Sequence, residues 1–196
     1  MFSKKICVIG LGYIGLPTAA LLANRGYDVH GVDVEQSTVN IINRGEIHIV
    51  EPELDTFVKG AVSSGKLKAS LNPCEADVFI IAVPTPFHEG FVPNIDYVLS
   101  ATKAIAPFVK ENNVVILEST SPVGTTDKVE GVLIAEGIDT SKLYIAHCPE
   151  RVLPGQIMRE LVENDRIVGG TTPEATVQAV EFYKTFISGE VLSTDA

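Results

Sequence analysis

Short apolar runs rich in β-branched residues alternate with segments of helical apolar spacing along the 196-residue chain. Residues 4–10, 27–33, 66–70, 77–83, 113–118, 143–148, 166–170 and 190–194 read as strands. Residues 14–26, 37–45, 52–65, 96–110, 124–137 and 173–187 read as helices, with Gly26 closing the first and Pro52 in the first turn of the third. Runs such as DVFIIAV (77–83) are apolar without alternation, which marks strands covered on both faces. This order demands an α/β fold, a doubly wound and mostly parallel sheet with helices on both faces. No linker, repeat or low-complexity stretch interrupts it, so residues 1–196 are read as one domain.

Between the first strand and first helix lies GLGYIG, a GxGxxG match in the Rossmann context of strand, turn and helix. Gly10 permits the tight turn, Gly12 lets a pyrophosphate approach the backbone, and Gly15 lets helix and strand pack closely. The amides of Tyr13 and Ile14 then face the phosphates from a helix N-terminus. The second strand ends on Asp33, at roughly the 20-residue spacing expected of the acid that binds the ribose hydroxyls. Asp33, Val34 and Glu35 offer no cation for a 2′-phosphate, so the expected cofactor is NAD rather than NADP.

Ligands of open parallel sheets bind beyond the carboxyl ends of the strands. There the chain places Val83, Pro84 and Thr85; then Ser119, Thr120, Ser121, Thr125 and Thr126; then Glu150 and Arg151 on the CPERVLPG loop. The hydroxyls serve either a ligand or helix capping, and Glu150–Arg151 either a site or a surface ion pair. His147 is a candidate base, against a packed or capping role. HExxH, the P-loop lysine motif and GxSxG are all missing.

Composition narrows the classes further. Fifteen Lys and Arg against 25 Asp and Glu give a net charge of −10, which argues against a nucleic-acid partner. Hydrophobic residues at 45% are too many for a disordered chain, yet no run reaches the roughly 18 residues of a membrane span. MFSKKICVIGLG lacks the cleavage site of a signal peptide. Cys7, Cys74 and Cys148 are too few and too scattered for a disulfide framework or a zinc site. They read as reduced thiols of a cytoplasmic protein.

GLGYIGLPTAA, VPTP, ESTSPVGTT, CPER and DRIVGG, in this order, resemble the N-terminal domain of the UDP-glucose/GDP-mannose dehydrogenase family. The resemblance covers essentially the whole chain. NRGEIHIVEPELD and CPERVLPGQ are most similar to members acting on UDP-N-acetyl-D-mannosamine. Others tend to carry an aromatic residue where this chain has Arg151.

The resemblance implies oxidation of a sugar C6 alcohol to a carboxylate with two NAD in succession, by way of a cysteine-bound intermediate. It implies that Thr120 helps hold catalytic water near the nicotinamide and that Glu150 does general acid/base or water-positioning work. Arg151, Val152 and Leu153 are implied to meet the UDP-sugar. Tyr13, Ile14, Asp33, Thr85 and Thr126 match NAD contacts. One departure is Thr38, where many members have Lys or Arg near the adenosine.

The family's cysteine nucleophile, with its Lys and Asn, belongs to a central helix and a C-terminal UDP-binding domain that these residues do not include. Cys148, followed directly by Pro149, matches no family nucleophile. The chain is therefore expected to bind NAD without turning over sugar, and the full-length enzyme to be a homodimer, with the state of this piece left open. UDP-N-acetylglucosamine and UDP-glucose remain as alternative substrates. A stand-alone NAD-binding regulatory module and a hydroxyacid-type dehydrogenase remain as alternative classes.

Overall fold

The computed structural model describes residues 5–196; residue 4, the start of the first expected strand, lies outside the described residues. Eight strands form one sheet: β1 (Lys5–Ile9), β2 (Asp28–Val32), β3 (Leu67–Ser70), β4 (Val78–Ile81), β5 (Val114–Leu117), β6 (Tyr144–His147), β7 (Arg166–Gly170) and β8 (Val191–Asp195). Their order is β3-β2-β1-β4-β5-β6-β7-β8. The pairings from β3 through β6 are all parallel. The strand order reverses between β1 and β4, and a crevice opens there at the carboxyl ends.

Among the described residues, seven α-helices connect the strands: α1 (Gly15–Asn24), α2 (Gln36–Asn43), α3 (Leu54–Ser63), α4 (Asp96–Ile105), α5 (Thr125–Ala135), α6 (Ile157–Glu163) and α7 (Pro173–Tyr183). One face of the sheet packs with Leu16, Ile42, Val58, Leu161 and Phe182. The opposite face packs with Val98, Ile105, Val129 and Leu133 of α4 and α5. Covered from both sides, β4 and β5 are buried at every residue, as their unbroken apolar runs require. The expected Rossmann-like α/β architecture is the one observed.

Local chemistry explains the helix ends. Gly26, at φ +98°, closes α1: its amide donates to Ala23 O and the amide of Tyr27 to Leu22 O, a Schellman pair. Thr172 caps α7 by accepting the Ala175 amide at 3.1 Å, with Pro173 next in line. The helix expected over 96–110 stops at Ile105 and tightens into a 3-10 turn at Ala106–Phe108, because Pro107 has no amide to donate. That expected over 173–187 ends at Tyr183. Pro52 lies ahead of α3 rather than in its first turn, since Glu53 at φ 66° breaks the chain direction before Leu54.

Two features depart from the expected pattern more deeply. Helix α6 has no counterpart in the sequence reading, although its buried Ile157, Met158 and Leu161 follow helical spacing. And β7 runs antiparallel to β6, pairing Ala146 with Gly170 and His147 with Gly169. Its first residue, not its last, therefore stands beyond the carboxyl end of β6.

Candidate functional site

A cleft of about 770 Å³ lies over the carboxyl ends of the central strands. Its walls are the glycine loop (Gly10–Ile14), Asp33 and Val34 after β2, Leu71–Pro73 after β3, Val83–Thr85 after β4, Glu118–Thr120 after β5 and Glu150 after β6. Tyr97 and Ser100 of α4 also line it. Three carboxylates face this space and no Lys, Arg or His does, among the described residues.

The glycine loop is built by close approach. Gly10 has φ +90°, and a Cβ there would stand 2.7 Å from the Ala82 carbonyl oxygen. A Cβ on Gly15 would overlap the Gly10 carbonyl oxygen, so only glycine lets α1 start this close to the turn. A Cβ on Gly12 would meet nothing, because that position faces open cleft. The amides of Gly12, Tyr13 and Ile14 donate to no group among the described residues, and Ile14 provides no side-chain cap to α1. Unspent donors at a helix N-terminus form an anion cradle, which holds phosphate without a basic side chain.

Asp33 is fixed from both sides. Its Oδ2 accepts the Leu11 amide at 3.0 Å and its Oδ1 accepts the Glu35 amide at 3.0 Å. Each carboxylate oxygen has two acceptor positions, so capacity remains for the hydroxyls of a ribose. The cradle, the open backbone at Gly12 and this anchored acid fit a dinucleotide with a free 2′-hydroxyl.

The loops after β4 and β5 are stitched together. Ser119 Oγ donates to Val83 O at 2.7 Å and Thr85 Oγ1 donates to Thr120 O at 2.6 Å. The Thr120 hydroxyl is left without a partner among the described residues, on an exposed side chain. Next to this end, Glu150 is 6% exposed, and its Oε1 accepts the Arg151 amide at 2.8 Å. Its Oε2 is paired directly with the Arg166 guanidinium, which is itself buried and also donates to Leu161 O. Extending the β6–β7 register by three residues sets Glu150 opposite Arg166, a pairing that the antiparallel direction of β7 creates.

Glu118 sits beneath the cleft. Its Oε1 accepts the Tyr183 hydroxyl at 2.8 Å, while Oε2 and the nearby Thr18 Oγ1 are buried without a partner. Burial pushes its carboxyl pKa up, against the lowering influence of the Arg166 charge and the Tyr183 hydrogen bond. Cys148 belongs to the same buried cluster. Burial and then the Glu118 charge push its thiol up to about 12, so it is a neutral thiol rather than a nucleophile.

Eleven of the strand-end and glycine-loop residues named from the sequence line the cleft: Gly10, Gly12, Tyr13, Ile14, Asp33, Val83, Pro84, Thr85, Ser119, Thr120 and Glu150. Gly15 lies behind the loop, and Thr126 is buried in the first turn of α5. Arg151, Val152 and Leu153 continue past Glu150 outside the cleft wall; Arg151 and Leu153 are exposed and Val152 packs on the core. His147 is not in the cleft: its Nδ1 donates to Leu117 O at 2.9 Å, and burial lowers its pKa. Thr38 is buried in α2. Glu118, Tyr183 and Arg166 were not singled out as site residues, although charged residues bounding apolar runs (NVVILE and RIVGG) are a readable signal.

A doubly wound sheet with an amide cradle, a ribose-type acid and a polar far end defines a nicotinamide-dinucleotide-binding domain of the dehydrogenase kind. The chain belongs to the UDP-glucose/GDP-mannose dehydrogenase family: residues 4–187 match the model of that family's NAD binding domain. Its cofactor is accordingly NAD. It is 56% identical to a UDP-N-acetyl-D-mannosamine dehydrogenase of Campylobacter jejuni, with 98% of this chain and 50% of that protein covered. It is 50% identical to an NDP-N-acetyl-D-galactosaminuronic acid dehydrogenase of Ralstonia nicotianae, covering 98% and 48%. Among solved structures, the UDP-N-acetyl-mannosamine dehydrogenase Cap5O of Staphylococcus aureus superposes with a TM-score of 0.93 at 45% identity, covering 98% of this chain and 48% of that one. The chain spans about half the length of the curated relatives it matches. No helix among the described residues is long and apolar enough to cross a membrane.

Proposed function

We propose that the chain is the NAD-binding half of a UDP-N-acetyl-D-mannosamine 6-dehydrogenase, which oxidises the sugar C6 alcohol to a carboxylate with two NAD in succession. The observation that carries this reading is a free Thr120 hydroxyl and an anchored Glu150 carboxylate on the walls of one NAD cleft. A module that only senses NAD needs neither. The 56% identity to a relative so named supports the choice of sugar.

NAD, when bound, accepts hydride. The chain's own residues do the rest of the work on this side of the site. The amides of Gly12, Tyr13 and Ile14 hold the pyrophosphate and Asp33 the adenosine ribose. Val83, Pro84, Thr85 and Thr126 complete the cofactor contacts. Thr120 positions water, and Glu150, held by Arg166, orients that water or moves its proton. Arg151, Val152 and Leu153 meet the UDP-sugar. The covalent thiol and the remaining sugar contacts come from the rest of a longer enzyme. That enzyme is a homodimer working in the cytoplasm, where the three free cysteines of this chain stay reduced.

The test is an NADH-release assay of the full-length enzyme against UDP-N-acetylmannosamine, UDP-N-acetylglucosamine, UDP-glucose and UDP-N-acetylgalactosamine, beside NAD titration of this chain alone. The expected result is preference for the first substrate, and NAD binding without sugar oxidation by the isolated chain. Preference for UDP-glucose, or turnover by the isolated chain, overturns it.

A further inference from the structure

We propose that Glu51 is the positioning residue of the 149–156 loop, holding it where a nucleotide sugar is read. The proposal rests on the reading above that Arg151–Leu153 meet that substrate. Glu51 lies between α2 and α3 and is 5% exposed. Its Oε2 accepts the Gly155 amide and its Oε1 the Ile157 amide, both at 2.8 Å. These partners stand more than one hundred residues further along the chain.

The bonds fall where the loop has least support of its own. Gly155 turns at φ +90°, and Gln156, at the N-cap position of α6, offers no side-chain cap. The unspent amides of the α6 N-terminus are thus satisfied by a carboxylate from another part of the fold, in place of a local Ser, Thr or Asp. At its other end the loop is held by Glu150, whose amide donates to Glu118 O at 3.2 Å and whose side chain pairs with Arg166. Between these anchors the Leu153 amide donates to Glu160 Oε2, and Asn164 Nδ2 donates to Arg151 O at 3.2 Å. Those two ties come from α6 and the residue just after it, so they move with α6. Among the described residues, Glu51 alone fixes that unit to the α2–α3 side of the domain through side-chain hydrogen bonds.

Glu51 is itself held stiffly. Ile49 is buried two residues before it, and Leu54 donates its amide to Glu51 O at 3.4 Å as α3 begins. The carboxylate therefore transmits the position of the α2–α3 connection to the loop bearing Arg151, Val152 and Leu153. It touches neither the cofactor cleft nor the reacting end, so its effect falls on substrate affinity rather than on NAD.

Glu51→Gln keeps one acceptor but turns an amide N–H against the second donor, and Glu51→Ala removes both acceptors. In both variants of this chain, hydrogen exchange at the Gly155 and Ile157 amides is expected to quicken by about tenfold or more. Exchange in β1 and β4, and NAD affinity, stay unchanged. In the full-length enzyme the KM for UDP-N-acetylmannosamine rises about tenfold while kcat falls less. Unchanged exchange at the two amides overturns the proposal. So does faster exchange that spreads into the sheet with loss of NAD binding, or a KM that stays put when the amides loosen. The exchange readings need no substrate, so an error in the assigned sugar appears separately, as a wild-type enzyme inactive on it.

Discussion

The Tyr183 hydroxyl donates to Glu118 Oε1 at 2.8 Å, tying the last turn of α7 to the end of β5 beneath the cleft. Both residues are fully enclosed, and Glu118 is the second-to-last residue before the Thr120 hydroxyl. The bond therefore links α7 to the Thr120 end of the cleft. Tyr183→Phe leaves a buried carboxyl oxygen without its donor and should cost about 1–3 kcal/mol of stability, read from urea unfolding.

Glu118 also sets a pH dependence. Its folded-state pKa is raised above the ordinary 4.5 because burial penalises the charged form. The folded protein thus holds a proton there that the unfolded chain releases. The associated stability is complete below the unfolded value and declines as pH rises from about 4.5 toward the folded value. Glu118→Gln keeps the shape and cannot ionise. The difference in unfolding free energy between variant and wild type should shift in the variant's favour on going from pH 4.5 to pH 7.5. A difference that is flat with pH would remove the raised pKa from the account.

Arg166 and Glu150 form a buried ion pair, and removing one partner strands the other. Arg166→Met should destabilise the domain by about 3–5 kcal/mol. Because Arg166 also donates to Leu161 O, the double variant with Glu150→Gln should recover part of that loss rather than all of it. A double-mutant cycle by urea unfolding reads the coupling.

Gly12 and Gly15 separate binding from folding. Gly12→Ala adds a methyl to open cleft, so the variant should keep its thermal midpoint within a few degrees and lose about tenfold or more in NAD affinity. Gly15→Ala drives a Cβ into the Gly10 carbonyl and should lower stability by more than about 1–3 kcal/mol as well as abolish binding. Calorimetric titration with NAD beside thermal unfolding distinguishes the two.

The three thiols should react in order of access. Burial pushes Cys7 and Cys148 each up to about 12, and both are enclosed, whereas Cys74 is half-buried. A thiol reagent at pH 8 should label Cys74 in the native protein and the other two only on unfolding. Rapid native labelling of Cys148, seen by mass spectrometry, would contradict its burial.

Local pattern carried much of this molecule. Unbroken apolar runs specified β4 and β5 as covered strands. Glycines placed the turn after β1, and the acid ending β2 marked the ribose side, because each depends on neighbours a few residues away. The signal for α6 was present too, in Ile157, Met158 and Leu161, but Pro154 and Gly155 make the stretch read as a loop. What periodicity cannot carry is direction and distant partnership. Strand alternation is the same for parallel and antiparallel pairing, so only the tertiary structure turned β7 around and set Arg166 opposite Glu150. Only packing decided that Glu51 would cap a helix 106 residues away. Burial, rather than residue type, raised the pKa of Glu118. Sequence determined the class of fold and the cofactor's cradle; the long-range contacts, which no local period encodes, decided how Glu150 is held at the cleft wall.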